Sequence, residues 1–181
     1  MTTPPITDAL RAEARANPGG WVYAVDPEFD VGGSVPPQGI VGAWRVDENG
    51  ELGEEFTPNP RHVPSPLARG WAAPTTKLER ILQLALAGHL PGEQLDREFA
   101  SADVVIFSRP EGGIFLAPAG AGGRLAYAFT DAGKATASGH TAHGVIRGVE
   151  LAEALPEGVR IALNPGSEVS VTLDPADIRS T

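Results

Sequence analysis

The stretch that decides the fold reads VRIALNPGSEVSVTL and occupies residues 159–173. A run of apolar and β-branched residues enters a turn composed of Asn, Pro, Gly and Ser, and a second alternating run leaves that turn. Within the turn, Pro165 fixes its own φ, and Gly166 adopts a positive φ at little steric cost. The pattern therefore predicts two successive strands, 159–163 and 169–173, joined by a tight turn.

Two helices are predicted upstream of this strand pair. Residues 76–88 begin with a Thr–x–x–Glu capping box, end at Gly88 and carry a wide apolar stripe, which indicates a buried helix. A second helix over residues 91–100 places Leu95 and Phe99 on its inner face. The C-terminal half is therefore predicted to contain two helices that pack on one face of a sheet.

The strands of that sheet are predicted from apolar runs and turn signals. The run Val104–Phe107 has no polar interruption, which is typical of a central strand. The other predicted elements are a hairpin of 113–117 and 125–129, a poor helix capped by Thr130, a strand at 144–148 and a helix at 150–155. Asp174 is expected to cap a last helical turn.

The N-terminal half predicts one helix followed by a small β-meander. The helix spans residues 6–17 and is capped by Thr7 or Asp8. The predicted strands are 21–25, 40–46 and 51–56. Asn49-Gly50 predicts a type I′ hairpin turn between the last two strands. Four prolines within residues 57–66 exclude a helix and predict an extended strap.

Together these elements predict an α+β fold. Its centre is a mixed, mostly antiparallel sheet with packed helices, preceded by the small β-meander and the proline-rich strap. The predicted regions are residues 1–74, with the first helix, the meander and the strap, and residues 75–181, with the main α/β domain. The two regions form either one packed unit or two.

Composition and charge narrow the function classes. The 181 residues carry 14 Lys and Arg against 23 Asp and Glu, which gives a formal net charge of −9. This balance argues against nucleic acid and anionic membrane surfaces, because both attract basic patches. The absence of Cys excludes disulfides, thiolate metal sites and a Cys nucleophile. No secretory signal or long apolar run is visible, so we expect a cytoplasmic protein without membrane insertion.

No motif of catalysis or metal binding stands out. The Gly-rich segment 120–123 joins two predicted strands and lacks the following Lys-Ser/Thr of a P-loop, so a hairpin loop is the better interpretation. His140 and His143 have the spacing of two helical metal ligands, but glycines flank the pair and further ligands are remote. Ser167 does not lie in a Gly-x-Ser-x-Gly elbow. We therefore expect a protein that is not an enzyme, with no catalytic residue, cofactor or metal.

Aromatic residues are the candidate contact sites. Trp44 lies on a predicted strand and is assigned to the core. Trp21, Phe29 and Phe56 are possible partner-binding residues, because aromatic side chains anchor interfaces as well as cores. Trp71, in the Pro/Gly-rich connection, is the strongest candidate, either as a partly exposed contact or as a staple between the two regions.

Three segments of the C-terminal half together carry a resemblance to a known family, in their order along the chain. They are the Val104–Phe107 strand, the Tyr-Ala-Phe-Thr segment that ends at Thr130, and the Leu-Asn-Pro-Gly-Ser segment of residues 163–167. In this order they resemble the SseB N-terminal-like domain over residues 76–178. The resemblance implies the α+β fold described above and a role within an assembly.

The N-terminal half carries a second resemblance. Its segments are GWVYAVDP at 20–27, GIVGAW at 39–44, FTPNP at 56–60 and PSP at 64–66. They resemble actinobacterial proteins associated with the type VII secretion system, which carry this block ahead of an SseB-like domain. The resemblance implies a cytosolic accessory or adaptor protein that contacts secretion-system components or substrates and performs no catalysis.

One further motif bears on this assignment. Tyr127 and Asp131 match the Tyr-x-x-x-Asp/Glu export tag of type VII substrates, but the chain has no Trp-x-Gly, and Tyr127 falls in a predicted strand. The protein is therefore expected to belong with the machinery rather than the cargo. The alternative is a small-ligand-binding or regulatory SseB-type domain without a secretion role.

Overall fold

The computed structural model describes residues 3–29, 35–109, 112–139 and 143–181. The chain divides into two compact units, Met1–Gly70 and Trp71–Thr181. His140, one of the two histidines considered above, lies outside the described residues. Within the described ranges, no helix has the length and apolar character needed to cross a bilayer.

The first unit is a helix packed on an antiparallel meander. Its elements are α1 (Asp8–Ala16), β1 (Trp21–Val25), β2 (Ile40–Val46) and β3 (Leu52–Pro58), with strand order β1-β2-β3. The Thr7 hydroxyl caps α1 by accepting a hydrogen bond from the Leu10 N–H at 3.3 Å. Ala14 of α1 packs between Val22 and Val46 of the sheet. The predicted helix and meander are confirmed.

The hairpin between β2 and β3 forms, but the predicted type I′ turn is wrong. That turn requires a positive φ at Asn49, whereas only Gly50 of the pair has one, at 82°. The Asp47 carboxylate accepts the N–H groups of Asn49 and Glu51, each at 2.8 Å, and thereby holds a different turn. Gly50 lies so close to α1 that an added Cβ would come within 2.9 Å of the Arg15 Cα.

Residues 57 and 58 of the predicted strap belong to β3, and the remaining strap, residues 59–66, is held on the rest of the first unit by the side chains of Asp26 and Asn59. The fully buried Asp26 carboxylate accepts the Ser65 N–H at 3.0 Å and contacts the His62 Nε2 at 3.1 Å. Asn59 donates its amide to the carbonyls of Pro37 and Ile40, both at 2.7 Å. Burial raises the pKa of Asp26, but its hydrogen bonds outweigh burial and leave the pKa lowered.

Within its described residues, the second unit contains five α-helices, six strands and a short 3-10 turn at Gly120–Gly122. The helices are α2 (Lys77–Ala87), α3 (Gly92–Ser101), α4 (Ala132–Ala137), α5 (Gly148–Ala154) and α6 (Pro175–Arg179). The strands are β4 (Asp103–Phe107), β5 (Leu116–Pro118), β6 (Arg124–Phe129), β7 (His143–Arg147), β8 (Val159–Leu163) and β9 (Val171–Leu173). Thr76, Gly88 and Asp174 occupy their predicted capping positions.

The strands form one mixed sheet of order β7-β4-β6-β8-β9, with β5 also paired to β6. Among the strand pairs of the described residues, only β6–β8 is parallel, so the predicted mixed, mostly antiparallel sheet is confirmed. One face buries Ile106, Ala128 and Leu163 under α2, α3, α5 and α6. The opposite face carries Phe107 and Phe129 and is packed by the short helix α4. The α+β class follows directly.

Two local predictions in this unit are corrected. Asp131, and not Thr130, caps α4, because its carboxylate accepts the Lys134 N–H at 3.0 Å. Thr130 is instead turned toward Asn164. The last strand begins at Val171 rather than at residue 169, although Val169 is still buried in the core.

Candidate functional site

A cleft of about 480 Å³ opens where the carboxyl ends of β6 and β8 meet. Its floor is aromatic and consists of Phe107, Tyr127 and Phe129. One wall is α4, and the other is the turn at residues 164–167 that follows β8. Side chains that follow neighbouring parallel strands meet at one sheet edge, which is a common place for a binding site.

The 164–167 turn is held by a buried asparagine. Asn164 is fully buried and has a φ of 52°, the sole positive φ of a non-glycine within the described ranges. Its Oδ1 accepts the Thr130 N–H at 2.9 Å, and its own N–H donates to the Ala128 carbonyl at 2.8 Å. The left-handed conformation is costly for most side chains, and asparagine tolerates it better than most. These bonds fix the turn above the end of β6.

This contact joins the two most distinctive motifs of the C-terminal half. Thr130 ends the Tyr-Ala-Phe-Thr segment, and Asn164 belongs to the Leu-Asn-Pro-Gly-Ser segment. The Asn164 Nδ2 also donates to the Thr130 Oγ1 at 3.2 Å. The two motifs are therefore joined by hydrogen bonds between Thr130 and Asn164, and this contact shapes the cleft wall.

The α4 wall is positioned by an ion-pair network. The Lys134 Nζ lies 2.8 Å from the Glu79 Oε1 and 3.3 Å from the Asp131 Oδ2. Glu79 is 3% exposed, and its second oxygen accepts the N–H and hydroxyl of Thr75 at 2.8 and 2.9 Å. The predicted capping box is thus only half formed: the Thr76 Oγ1 accepts the Glu79 N–H, but the Glu79 side chain binds Thr75 and Lys134 instead.

The network favours the ionised form of all three groups. Burial raises the pKa of Glu79, but its contacts with Lys134 and Thr75 outweigh burial and lower it. Burial also raises the pKa of Asp131, and the hydrogen bonds from Lys134 and Thr75 again lower it. Burial lowers the pKa of Lys134, but the two carboxylates outweigh burial and raise it. The arrangement therefore holds the Lys134 ammonium group in the cleft wall, and the Glu79 and Asp131 carboxylates balance its positive charge.

The floor presents aromatic faces and hydroxyl groups. The Phe107 ring lies 5.0 Å from the Phe129 ring and 6.2 Å from the Tyr127 ring, measured between centroids. Ser138 and Ser167 line the walls, and the Ser138 hydroxyl donates to the Ala135 carbonyl at 2.6 Å. Such a surface suits an apolar or aromatic group that also forms a few hydrogen bonds. Among the described residues, no three His, Asp or Glu side chains are grouped as metal ligands.

None of the four aromatic residues proposed as contacts is among the described residues that line the cleft. Trp71 packs partly buried against the main core of the second unit. Trp21 is 38% exposed on β1, with the Arg45 guanidinium 5.6 Å from its ring centroid. Phe56 packs on the buried Trp44, as the 4.6 Å separation of their rings shows. Phe29 is partly buried against Gly39. Partner binding by these residues stays a prediction.

Sequence reasoning missed the residues that shape the cleft. Glu79 was assigned to a capping box and Asn164 to a turn and a family motif, and Lys134 was given no role. One signal was present for Lys134, because it is one of two lysines in a chain whose other basic residues are arginines. For Asn164, the signal was its position directly between a buried strand and Pro165.

Comparison with known families identifies the class of protein that this fold and cleft define. The SseB protein N-terminal domain family matches residues 78–180. The match spans more than half of the chain, from α2 to α6, and includes every residue of the cleft. The chain therefore belongs to the SseB family, as the sequence motifs indicated. No match was found among curated proteins or among solved structures.

Proposed function

We propose that this SseB-family protein is a non-enzymatic accessory or adaptor protein of a type VII-like secretion system. In this proposal it acts in the actinobacterial cytoplasm through contacts with secretion-system components or substrates. The observation that carries the binding role is the aromatic-floored cleft, whose charged lining residue, Lys134, is already paired with Glu79 and Asp131. A cleft of this composition is suited to recognition.

The state of the ionisable groups supports the non-enzymatic part of the proposal. A general acid or base works best when its pKa lies near the working pH and a proton can reach it. The pKa values of Glu79 and Asp131 are lowered and that of Lys134 is raised, each away from neutrality. Their polar atoms are engaged in the network at 2.8–3.3 Å.

The first unit supports the link to secretion. Its segments at 20–27, 39–44, 56–60 and 64–66 are those that resemble type VII-associated proteins. In the structure they form the strands and the strap of one unit, in which Trp21 and Tyr23 are 38% and 47% exposed on β1. Exposed aromatic residues on a rigid strand are suited to anchoring a protein contact.

Binding to purified secretion components tests this proposal. The immobilised full chain is incubated separately with the purified secretion ATPase and with a purified helical-hairpin substrate of the same system. We expect retention of at least one of them, weakened by Trp21→Ala. Val145→Ala is the matched control, because Val145 is 72% exposed in the second unit. Failure to retain any component would contradict the secretion role.

A second candidate is a small-ligand-binding or regulatory domain without a secretion role. The observation that favours it is the cleft volume of about 480 Å³, which lies within the usual range for small-molecule sites. A ligand at saturating concentration would raise the melting temperature by about 3 °C or more. A metabolite screen that gives such a rise, in a chain that retains no secretion component, would favour this candidate.

A further inference from the structure

We propose that the cleft between α4 and the 164–167 turn is a docking site for one aromatic side chain of a partner protein, flanked in the partner by a basic residue. The proposal depends on the proposed function for the source of that segment. It assigns to the cleft a chemical specificity that the family match does not contain.

The aromatic requirement follows from the floor. Phe107, Tyr127 and Phe129 lie on the sheet face opposite the main helical layer, and α4 is the helix packed against them. Tyr127 remains partly exposed within the cleft. Aromatic rings gain both buried area and favourable ring geometry when they pack on other rings. A volume of about 480 Å³ accommodates one such side chain with its neighbouring backbone.

The cleft is also rigid before any ligand arrives. The turn wall is pinned by the buried Asn164 in its left-handed conformation, and the α4 wall is pinned by the Lys134 ion pairs. A strained residue persists where the surrounding structure over-determines it, and such residues cluster at functional sites. Rigid walls reduce the entropy lost on binding.

The charge of the flanking residue follows from the charged groups at the cleft wall and behind it, of which Lys134 lines the cleft and Glu79 and Asp131 do not. Lys134 is neutralised by Glu79 and Asp131, so these three groups carry a net charge of −1. The exposed Glu168 directly follows the cleft residue Ser167 and adds negative charge at the rim. The whole chain carries −9. A cation beside the docked ring is therefore favoured over an anion.

Three dipeptide probes test both parts of this specificity. They are the N-acetylated, C-amidated forms of Trp-Lys, Trp-Glu and Ala-Lys, titrated at millimolar concentration into ¹⁵N-labelled full chain. We expect saturable amide shifts at Gly166 and Ser167 with Trp-Lys. Trp-Glu should bind about fivefold more weakly at low salt, with the difference narrowing at high salt. Ala-Lys should give no saturable shift.

Two variants on one helix provide the control. Ala137 is exposed and lines the cleft, so Ala137→Trp should fill it and abolish Trp-Lys binding. Thr136 is also exposed but is not part of the lining, so Thr136→Trp should bind as the parent chain does. Tyr127→Leu keeps apolar bulk but removes a ring, and it should weaken binding severalfold.

The results separate this inference from the proposed function. Equal binding of Trp-Lys and Ala-Lys, tighter binding of Trp-Glu, or unchanged binding by Ala137→Trp would overturn the inference. Probe binding without retention of any secretion component overturns the proposed function alone. Retention of a component with no saturable probe binding overturns the cleft inference alone.

Discussion

The strap of the first unit and the cleft turn of the second unit are held by similar contacts but present different surfaces. In both, an Asp or Asn directly before a proline uses its side chain to bind backbone groups that are distant in sequence. Asp26 and Asn59 do this for the strap, and Asn164 does it for the turn. The strap contacts fasten a segment onto its own unit. The Asn164 contacts instead hold a turn beside an open aromatic floor.

The two units differ in the group to which their buried carboxylate, Asp26 or Glu79, binds. Asp26 places its carboxylate directly on the strap, at Ser65 and His62. In the second unit the buried carboxylate of Glu79 is used one step away from the cleft, to position Lys134 in its wall. Because Glu79 positions Lys134 and does not itself line the cleft, its side chain takes up no space there. The same chemistry therefore holds a segment against the first unit and leaves a cleft open in the second.

The largest expected effect comes from removing the partner of a buried carboxylate. Lys134→Met leaves Glu79 buried without its cation and should lower the free energy of unfolding by about 3–5 kcal/mol. Lys77→Met is the matched control, because the Lys77 side chain is 78% exposed and its ion pair with Glu98 should contribute less than about 1 kcal/mol. Chemical denaturation followed by circular dichroism measures both. Equal costs for the two lysines would contradict the role given to Glu79.

The next effect concerns the strap. Asp26→Ala leaves the buried Ser65 N–H without its acceptor and should destabilise the first unit by about 2–3 kcal/mol. Asp47→Ala also removes an acceptor of backbone N–H groups, but Asp47 is exposed and water replaces its bonds. Hydrogen exchange read by mass spectrometry reports each unit separately. Faster exchange confined to peptides of the first unit is expected for Asp26→Ala alone.

A smaller effect on the free energy of unfolding should distinguish Asn164 in the turn from Asn59 in the strap. Asn164→Gly should be less destabilising than Asn164→Ala by about 1 kcal/mol, because glycine relieves the left-handed strain that alanine keeps. Asn59 has no positive φ, so Asn59→Gly should be no more stable than Asn59→Ala. Thermal unfolding of the four variants gives both differences. A glycine advantage at both positions would remove the distinction between strap and turn.

The smallest effect is a loss of stability at alkaline pH that we expect for the second unit. The pKa of Lys134 is raised above its ordinary value of 10.5, so its contribution is complete below that pH and is lost as pH rises through the raised value. The lowered pKa values of Asp26 and Glu79 act at the other end, where stability is lost in both units as pH falls below about 4. Urea denaturation against pH should show an alkaline loss that Lys134→Met lacks. An identical alkaline profile in that variant would exclude Lys134 as its source.

Much of the fold was predictable because its signals are local. The caps at Thr76, Gly88 and Asp174 and the apolar run at Val104–Phe107 need only neighbouring residues, and all of them form as expected. The Asn49-Gly50 turn was mispredicted because the Asp47 carboxylate binds the Asn49 and Glu51 N–H groups and holds a different turn. The Asn-Gly pair considered alone leaves out this neighbouring side chain.

The cleft was less predictable because its parts come from distant segments. Glu79 lies on α2, while Lys134 and Asp131 belong to α4 and its cap. Asn164 meets Thr130 only because β6 and β8 run parallel with Ala128 opposite Leu163. The motifs that contain Thr130 and Asn164 indicated the SseB family. Neither motif alone predicts that these two residues are in contact.

The sequence by itself determined which segments are helices and strands, where most of them end, and that the C-terminal half is an SseB domain. Periodicity and capping depend on residues a few positions apart, and these are visible in one dimension. Only the tertiary structure decided which polar residues are buried, which charges pair, and that a cleft opens beside Asn164. These outcomes depend on strand order and register, which bring residues together across the sheet at distances that chain position does not encode.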